Sequence, residues 1–387
     1  MSNQKTFGLG LIGCGGFGRF CLEAFSTLPQ VRIVSAAEHM PDTAEIARRQ
    51  FGIPVYMHSY ELIARPDVDI VHIATPPASH RDLVMQCCVA HKNVLCEKPL
   101  AMSLAQADEM LEAAAKINVI CPVNFVLRYN EVTHTVKRIL DSHVLGQPLA
   151  ARLTNCATDA KLPQGHWFWD RETSGGIFIE HGVHFFDLYR YWFGEGEVLY
   201  AATMTRPRTH QEDRVTCLVR HENGMLADHY HAFDQMFAMD RTDHRILTEL
   251  GELTVEGWIP LTIRIDAAVD EAALDQLRAM CPGAQFDVMN EFSTNVRALP
   301  GRGRERTADR RVRMTYTPHE DKQSVYAQSV RELLVDQLSY LEDCQHARIV
   351  VESNGREAVA LAERAAMLAN VAAREFTSSE PKRRASA

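Results

Sequence analysis

Phe7-Gly8-Leu9-Gly10-Leu11-Ile12-Gly13-Cys14-Gly15-Gly16-Phe17-Gly18 is the stretch on which the fold turns. Its first six residues read as a buried strand, and a helical stretch, Arg19 to Leu28, follows. G-x-G-x-x-G between a strand and a helix is the context a dinucleotide fingerprint requires. Gly13 and Gly15 let the backbone turn tightly and approach a pyrophosphate, while Gly18 lets helix and strand pack closely. Phosphates would lie at the positive end of the helix, with Cys14, Gly16 and Phe17 completing the loop. A second strand, Val31 to Ala37, ends at Glu38, twenty residues after Gly18. An acid there can take ribose hydroxyls and repels a ribose phosphate, and His39 rather than Arg comes next. NAD is therefore expected in preference to NADP.

Further along, the alternation continues. A helix is expected over Asp42 to Phe51, a short strand near Val55, and a third buried strand over Val68 to Ala74. Thr75-Pro76-Pro77-Ala78-Ser79-His80 caps that strand with a stiff corner. For Thr75 and His80, plain turn and helix-cap chemistry is the competing reading. A helix over Arg81 to Ala90 leads to Asn93-Val94-Leu95 and then Cys96-Glu97-Lys98-Pro99. Pro99 steers Lys98 away from helical geometry, so an ammonium stands at a strand's carboxyl end, where open parallel sheets bind ligands. A solvated turn lysine is the plainer alternative. A helix from Leu104 to Lys116 and a strand over Val119 to Val123 complete a doubly wound parallel sheet.

At 387 residues the chain exceeds one ordinary core, so two domains are expected. A net charge of -9 argues against nucleic acid or an anionic membrane as partner. No apolar run approaches a bilayer span, and the polar residues from Met1 to Thr6 do not read as a signal peptide. Ten cysteines without a CxxC pair fit buried reduced thiols, hence a cytoplasmic protein without a zinc site.

The glycine loop, Thr75-Pro76-Pro77 with His80, and Glu97-Lys98-Pro99 together resemble the oxidoreductases named after glucose–fructose oxidoreductase, inositol dehydrogenase and MocA (Gfo/Idh/MocA). The resemblance implies an α/β chain: an N-terminal Rossmann domain with a doubly wound parallel sheet, and a C-terminal α/β domain with a large open, mostly antiparallel sheet. Boundaries are expected at 1–123 and 124–377, with a poorly fitting insertion over about 265–322 and a disordered tail over 378–387. It also implies a homo-oligomer, a dimer or tetramer formed through the open sheet. NAD(P)-dependent oxidation or reduction of one carbon of a sugar, cyclitol or related diol is the implied activity, with Lys98 touching substrate and nicotinamide. By similarity, Asn124 lies near the nicotinamide and Arg128 near the substrate, although Arg128 alone reads as a surface residue.

Two stretches of the second half bear on the site. Gly165-His166-Trp167-Phe168-Trp169-Asp170 is the densest aromatic cluster. Trp167 and Trp169 could face the C–H faces of a ring substrate or form a small core beneath a loop. In Glu180-His181-Gly182-Val183-His184-Phe185-Phe186-Asp187, helical spacing puts Glu180 and His184 on one face. A histidine beside a carboxylate suits proton transfer near neutral pH. This stretch matches the family's G-G-x-x-x-D-x-G-x-H-x-x-D pattern, with Glu180 where Asp is usual and an uncommon His181 that could supply another polar contact to substrate. A metal held by the two histidines and the carboxylate is a weaker reading, because no further ligand set has metal-like spacing.

Among Asp228, His229, Tyr230 and His231, alternating faces direct two toward the site. Six arginines between Gly301 and Arg313 suggest a solvated loop, or a lid or intersubunit arm. The overall expectation is an NAD-dependent dehydrogenase with Lys98 and His184 in proton transfer and Glu180 setting the orientation and charge of His184. An enzyme that recycles tightly bound NAD for hydrolysis or elimination, and a non-catalytic cofactor-sensing regulator, are the alternatives.

Overall fold

The computed structural model describes residues 5–222, 224–292, 298–301 and 304–379. The first part of the chain alternates strand and helix: β1 (Phe7–Ile12), α1 (Gly16–Ser26), β2 (Val31–Ala37), α2 (Pro41–Phe51), β3 (Val55–Tyr56), α3 (Ser59–Ile63), β4 (Ile70–Ile73), α4 (His80–Val89), β5 (Asn93–Cys96) and α5 (Leu104–Lys116). The five strands form one parallel sheet in the order β3-β2-β1-β4-β5. All six residues of β1 are buried, as a strand covered on both faces requires. Strand order reverses beside β1, so the loops after β1 and β4 open a crevice between them.

Val119 to Val123 follows β5 but does not become a sixth strand. Val94 and Cys96 donate backbone N–H groups to Ile120 and Pro122 at 2.9 and 3.0 Å, and one parallel bridge joins Cys96 to Val123. Pro122 has no N–H to return, so a regular ladder cannot propagate through it. The helix expected from Asn124 is likewise delayed. Val126–Tyr129 makes a short 3-10 turn, and α6 (Glu131–Ser142) starts after Asn130, whose side chain accepts from Thr133 N.

The second part comprises β6 (Pro148–Thr158), α7 (Arg171–Ser174), α8 (Val183–Phe193), β7 (Gly196–Thr205), β8 (Glu212–His221), β9 (Leu226–Gln235), β10 (Arg241–Thr248), β11 (Gly251–Glu256), β12 (Thr262–Val269), α9 (Glu271–Met280), β13 (Gln285–Glu291), β14 (Ala298–Gly301), β15 (Arg304–Thr307), β16 (Arg310–Tyr316), α10 (Lys322–Glu342) and α11 (Glu352–Ser379). Nine strands form an open sheet in the order β13-β16-β12-β11-β10-β6-β9-β8-β7. Every described neighbour pair is antiparallel except β6 with β9.

Most of the described residues between Ile265 and Lys322 are thus regular structure, with β12, β13 and β16 in this sheet and β14 and β15 in a separate pair, which corrects the expectation of an irregular solvated loop. Arg310 pairs with Glu271, and Arg311 and Arg313 pair with Asp266 on the neighbouring strand. Arg302 and residues 380–387 of the expected tail lie outside the described residues, and α11 runs to Ser379.

Helix α8 lies against the sheet's inner face, with Phe185, Leu188, Tyr189 and Trp192 in a core shared with Ile246, Leu253 and Val255. Ten of its eleven residues are buried. A helix enclosed on nearly all sides must partner its charges internally. Asp187 accordingly takes two 2.8 Å bonds from Arg128, and Arg190 bonds Glu195 on the following turn.

Candidate active site

A cleft of about 1120 Å³ runs from the glycine loop to the start of α8. Its near end is built by backbone geometry. Gly13 has φ +94°, and a Cβ there would stand 2.6 Å from the Ala74 carbonyl oxygen, so the turn excludes a side chain. At Gly15 and Gly16 an added Cβ would meet nothing within 4 Å, which leaves backbone open to the cleft. These features fit a pyrophosphate drawn against the start of α1. Glu38 stands beside the loop, accepting from Cys14 N at 2.9 Å and Met40 N at 2.9 Å. The carboxylate is thereby held at the end of β2 beside the glycine loop, with His39 as its exposed neighbour.

Lys98 occupies the middle of the cleft. Its Nζ donates to the Glu180 backbone carbonyl at 2.9 Å and forms an ion pair with the Glu180 carboxylate. Glu180 lies in a single π-helical turn, Phe178–Gly182, that precedes α8. Two of the ammonium's three N–H bonds are used there, leaving one for a substrate oxygen. Glu97 lies buried behind Lys98 and accepts from Asn124 Nδ2 at 2.6 Å. Burial pushes the Glu97 carboxyl up to about 7, against the opposing pull of Asn124 and Lys98.

The far end is aromatic. Trp258 meets the His184 ring edge-on at 4.7 Å and stacks on His181 at 5.5 Å. Burial, then the Lys98 charge, holds His184 well below the usual histidine range. Its Nδ1 is buried without a partner among the described residues, so Nε2 is the nitrogen left for the cleft. A neutral imidazole beside an ammonium can accept a proton from a hydroxyl that the ammonium polarises.

The cleft brings together Gly13, Gly15, Gly16, Phe17 and Gly18 of the loop, with Glu38 and His39. Thr75, Pro76, Glu97, Lys98 and Asn124 line it from the later corners, and Trp167, Glu180, His181 and His184 from the second part. Four expected residues stand elsewhere. Cys14 is buried beneath the loop and reaches Glu38 only through its backbone. His80 is buried, with its ring nitrogens 2.7 Å from the Pro99 carbonyl and 2.9 Å from that of Thr75, so it ties two corners together. Arg128 is consumed by Asp187, and Trp169 donates to the Leu162 carbonyl beneath the Arg206 guanidinium. The expected Glu180–His184 partnership is also replaced, because the Glu180 carboxylate goes to Lys98.

His229 and His231 are the inward pair of β9, yet both pack behind the cleft wall. Trp258 and Tyr326 were not anticipated. Trp258 follows Gly257 in a turn, where no periodicity marks it, and its being one of four tryptophans was the available signal. Tyr326 comes from α10, where its ring packs at a tilt against Phe17 and Phe20 at 5.7 and 5.0 Å.

Sheet order, glycine loop and cleft define a dinucleotide-binding α/β oxidoreductase fold. The sequence model of the oxidoreductase family with an NAD-binding Rossmann fold, GFO/IDH/MocA, matches residues 7–125, and that family's C-terminal domain model matches residues 133–249. The chain belongs to the Gfo/Idh/MocA family, and its N-terminal sheet is that family's NAD-binding Rossmann fold.

Myo-inositol 2-dehydrogenase of Thermotoga maritima is 30% identical over 188 residues, which is 48% of this chain and 55% of that protein. Trans-1,2-dihydrobenzene-1,2-diol dehydrogenase of Xenopus tropicalis is 30% identical over 178 residues, 45% of this chain and 53% of its own length. The chain thus spans about half the length of these relatives. An Agrobacterium radiobacter oxidoreductase solved with NAD+, L-tartaric acid and magnesium shares the fold, with TM-score 0.73, 20% identity, and coverage of 95% of this chain and 97% of that one. Among the described residues, no helix is long and apolar enough to cross a membrane.

Proposed function

We propose that this protein is an NAD-dependent dehydrogenase that oxidises a secondary hydroxyl of a sugar, cyclitol or related diol, or reduces the corresponding ketone. The observation that carries this reading is the meeting of Lys98 and His184 in the same cleft that begins at the glycine loop. The named activities of the inositol and dihydrodiol relatives support the substrate class. In this reading residues 1–123 hold the cofactor, and 124–377 supply the substrate end and the surface for a second copy. Leu199, Tyr200, Met204 and Leu226 are exposed on strands of the open sheet, which favours a dimer or tetramer. Nine buried free thiols fit a reducing cytoplasm.

Bound in the cleft, the nicotinamide supplies the hydride acceptor. Lys98 donates its free N–H to the substrate oxygen and stabilises negative charge on it as the proton leaves. His184 accepts that proton at Nε2. Glu180 fixes the ammonium through its carboxylate and its backbone carbonyl, and Trp258 with Trp167 walls the ring and excludes water.

The test is to denature the purified protein, identify any released nucleotide, titrate NAD and NADP, and screen sugars, cyclitols and ring diols for NADH formation. NAD binding with NADH formed from a polyol is the expected result. Absence of affinity for either nucleotide would overturn the reading, whereas a cleaved product without net NADH would replace it with recycled-cofactor chemistry.

A further inference from the structure

His181 is not needed for the proton transfer above, yet its ring lines the same cleft. Its Nε2 is 2.9 Å from Asn155 Oδ1, and Asn155 Nδ2 donates to Thr242 Oγ1 at 2.8 Å. Asn155 and Thr242 are both buried, on neighbouring strands β6 and β10. Since the Asn155 amide nitrogen is spent on Thr242, its oxygen faces His181 as an acceptor. An acceptor at that place requires a hydrogen on Nε2 of the imidazole. A neutral ring with hydrogen on Nε2 carries its lone pair on Nδ1. Among the described residues, Nδ1 has no hydrogen-bond partner, and it is not one of the sealed polar atoms of the interior. Burial and the charges around it, Lys98 included, disfavour the protonated ring.

The ring is also held rigidly. Trp258 stacks on it with ring planes 27° apart, while Phe233 and His231 meet it edge-on at 4.9 and 5.5 Å. Trp258 contacts His184 as well, so the two histidines flank one indole. We propose that His181 Nδ1, oriented by Asn155 and Thr242, is a hydroxyl-recognising subsite that accepts a hydrogen bond from a second hydroxyl on the ring whose first hydroxyl meets Lys98 and His184. The inference rests on the dehydrogenase reading and deepens it. It assigns the substrate to ring diols and polyols, rather than to alcohols with a single hydroxyl. A ligand lacking the second hydroxyl would leave a fixed acceptor unpaired in an enclosed place, and discrimination of that kind is large.

The experiment reads binding rather than turnover. Cyclohexane-1,2-diol (cis and trans) and cyclohexanol are titrated calorimetrically into the full-length protein saturated with NADH. Wild type should bind one of the diols about tenfold to a hundredfold more tightly than cyclohexanol. His181→Phe keeps an aromatic ring against Trp258, and it should abolish that preference while leaving cyclohexanol and NADH affinities unchanged. Nitrogen-15 spectra of the imidazoles should show Nδ1 of His181 unprotonated in the free protein and shifted by the diol, and Asn155→Leu should erase the fixed tautomer. Equal affinities for diol and cyclohexanol in wild type, equal losses in His181→Phe, or a protonated Nδ1 would each overturn the subsite. NADH formation is not read here, so failure of the oxidation reading would show separately, as an absence of turnover with every alcohol.

Discussion

Lys98 and Glu180, 82 residues apart in the chain, form an ion pair in the middle of the cleft, and the same ammonium also takes the Glu180 backbone carbonyl. One joins the Rossmann sheet to its proline corner, and the other stands in the π-helical turn that leads into α8. The extra methylene of Glu over the family's usual Asp gives the carboxylate greater reach from that turn. The pair therefore ties the Rossmann corner of the cleft to the turn that leads into α8.

Removing either partner should separate catalysis from cofactor binding. Lys98→Ala is expected to lower kcat at least about a hundredfold, the scale of a lost proton-handling group. Glu180→Gln keeps the shape but not the charge, and should lower kcat by about tenfold to a hundredfold. Steady-state kinetics with an active polyol, beside NAD titrations that stay within about threefold of wild type, is the check. Full turnover in Glu180→Gln would reduce the pair to a structural tie.

Glu38 accepts from two backbone N–H groups, one on the glycine loop and one at the start of α2. Glu38→Ala removes those acceptors together with the carboxylate charge beside the glycine loop. NAD affinity should fall about tenfold, and NADP should gain relative to it. Fluorescence titration of both nucleotides measures the ratio, and an unchanged NAD-to-NADP preference would contradict the assignment.

Arg128, expected near substrate, instead makes a bidentate contact with Asp187 and does not line the cleft, which favours a structural role. Arg128→Leu strands a carboxylate inside a helix packed on nearly all sides, a loss of about 3–5 kcal/mol. Thermal unfolding should show a large drop, and Arg128→Leu combined with Asp187→Leu should recover much of it. The folded fraction should keep its KM. A raised KM with unchanged unfolding would return Arg128 to the substrate.

What the sequence disclosed follows the range of the interactions involved. The β1 strand, the glycine loop, Glu38 and the Thr75 and Lys98 corners are local patterns, so their placement around one crevice could be read directly. His80 was legible as a corner residue, but not that its ring would span to the Pro99 carbonyl 19 residues away. Helical spacing put Glu180 and His184 on one face and suggested a partnership. The π-helical turn and the approach of Lys98 from another strand decide otherwise. Trp258 and Tyr326 reach the cleft only through tertiary packing, from a turn and from α10, and no local signal encodes that. Arginine density between Gly301 and Arg313 suggested a loop, whereas Arg310, Arg311 and Arg313 lie on β16, one strand in from the sheet edge, and pair with Glu271 and Asp266 on neighbouring elements.

The interior between α8 and the sheet makes a final prediction about pH. Burial holds His231 and His244 at about 3, and His72 in the Rossmann core at about 4, against an ordinary value of 6.5. Because these folded-state values are depressed, the unfolded chain takes up protons first as the solution is acidified. Their neutral burial has no pH penalty above about 6.5, and stability is lost progressively as pH falls from there toward 3. Glu97 runs the other way. Its folded value of about 7 exceeds the ordinary 4.5, so the folded state binds that proton first, and the benefit is lost as pH rises from about 4.5 through 7. His72 Nε2 lies 3.5 Å from a Glu97 oxygen, so these two titrate as a pair, and His231 and His244 leave a net acid sensitivity. The melting temperature should therefore fall as pH drops from 6.5 to 4, and His231→Phe or His244→Phe should flatten that slope. Glu97→Gln should steepen it by removing the opposing contribution. Thermal unfolding from pH 4 to 8 resolves all four proteins, and an identical slope in wild type and His231→Phe would show that the His231 ring is already protonated where it is buried.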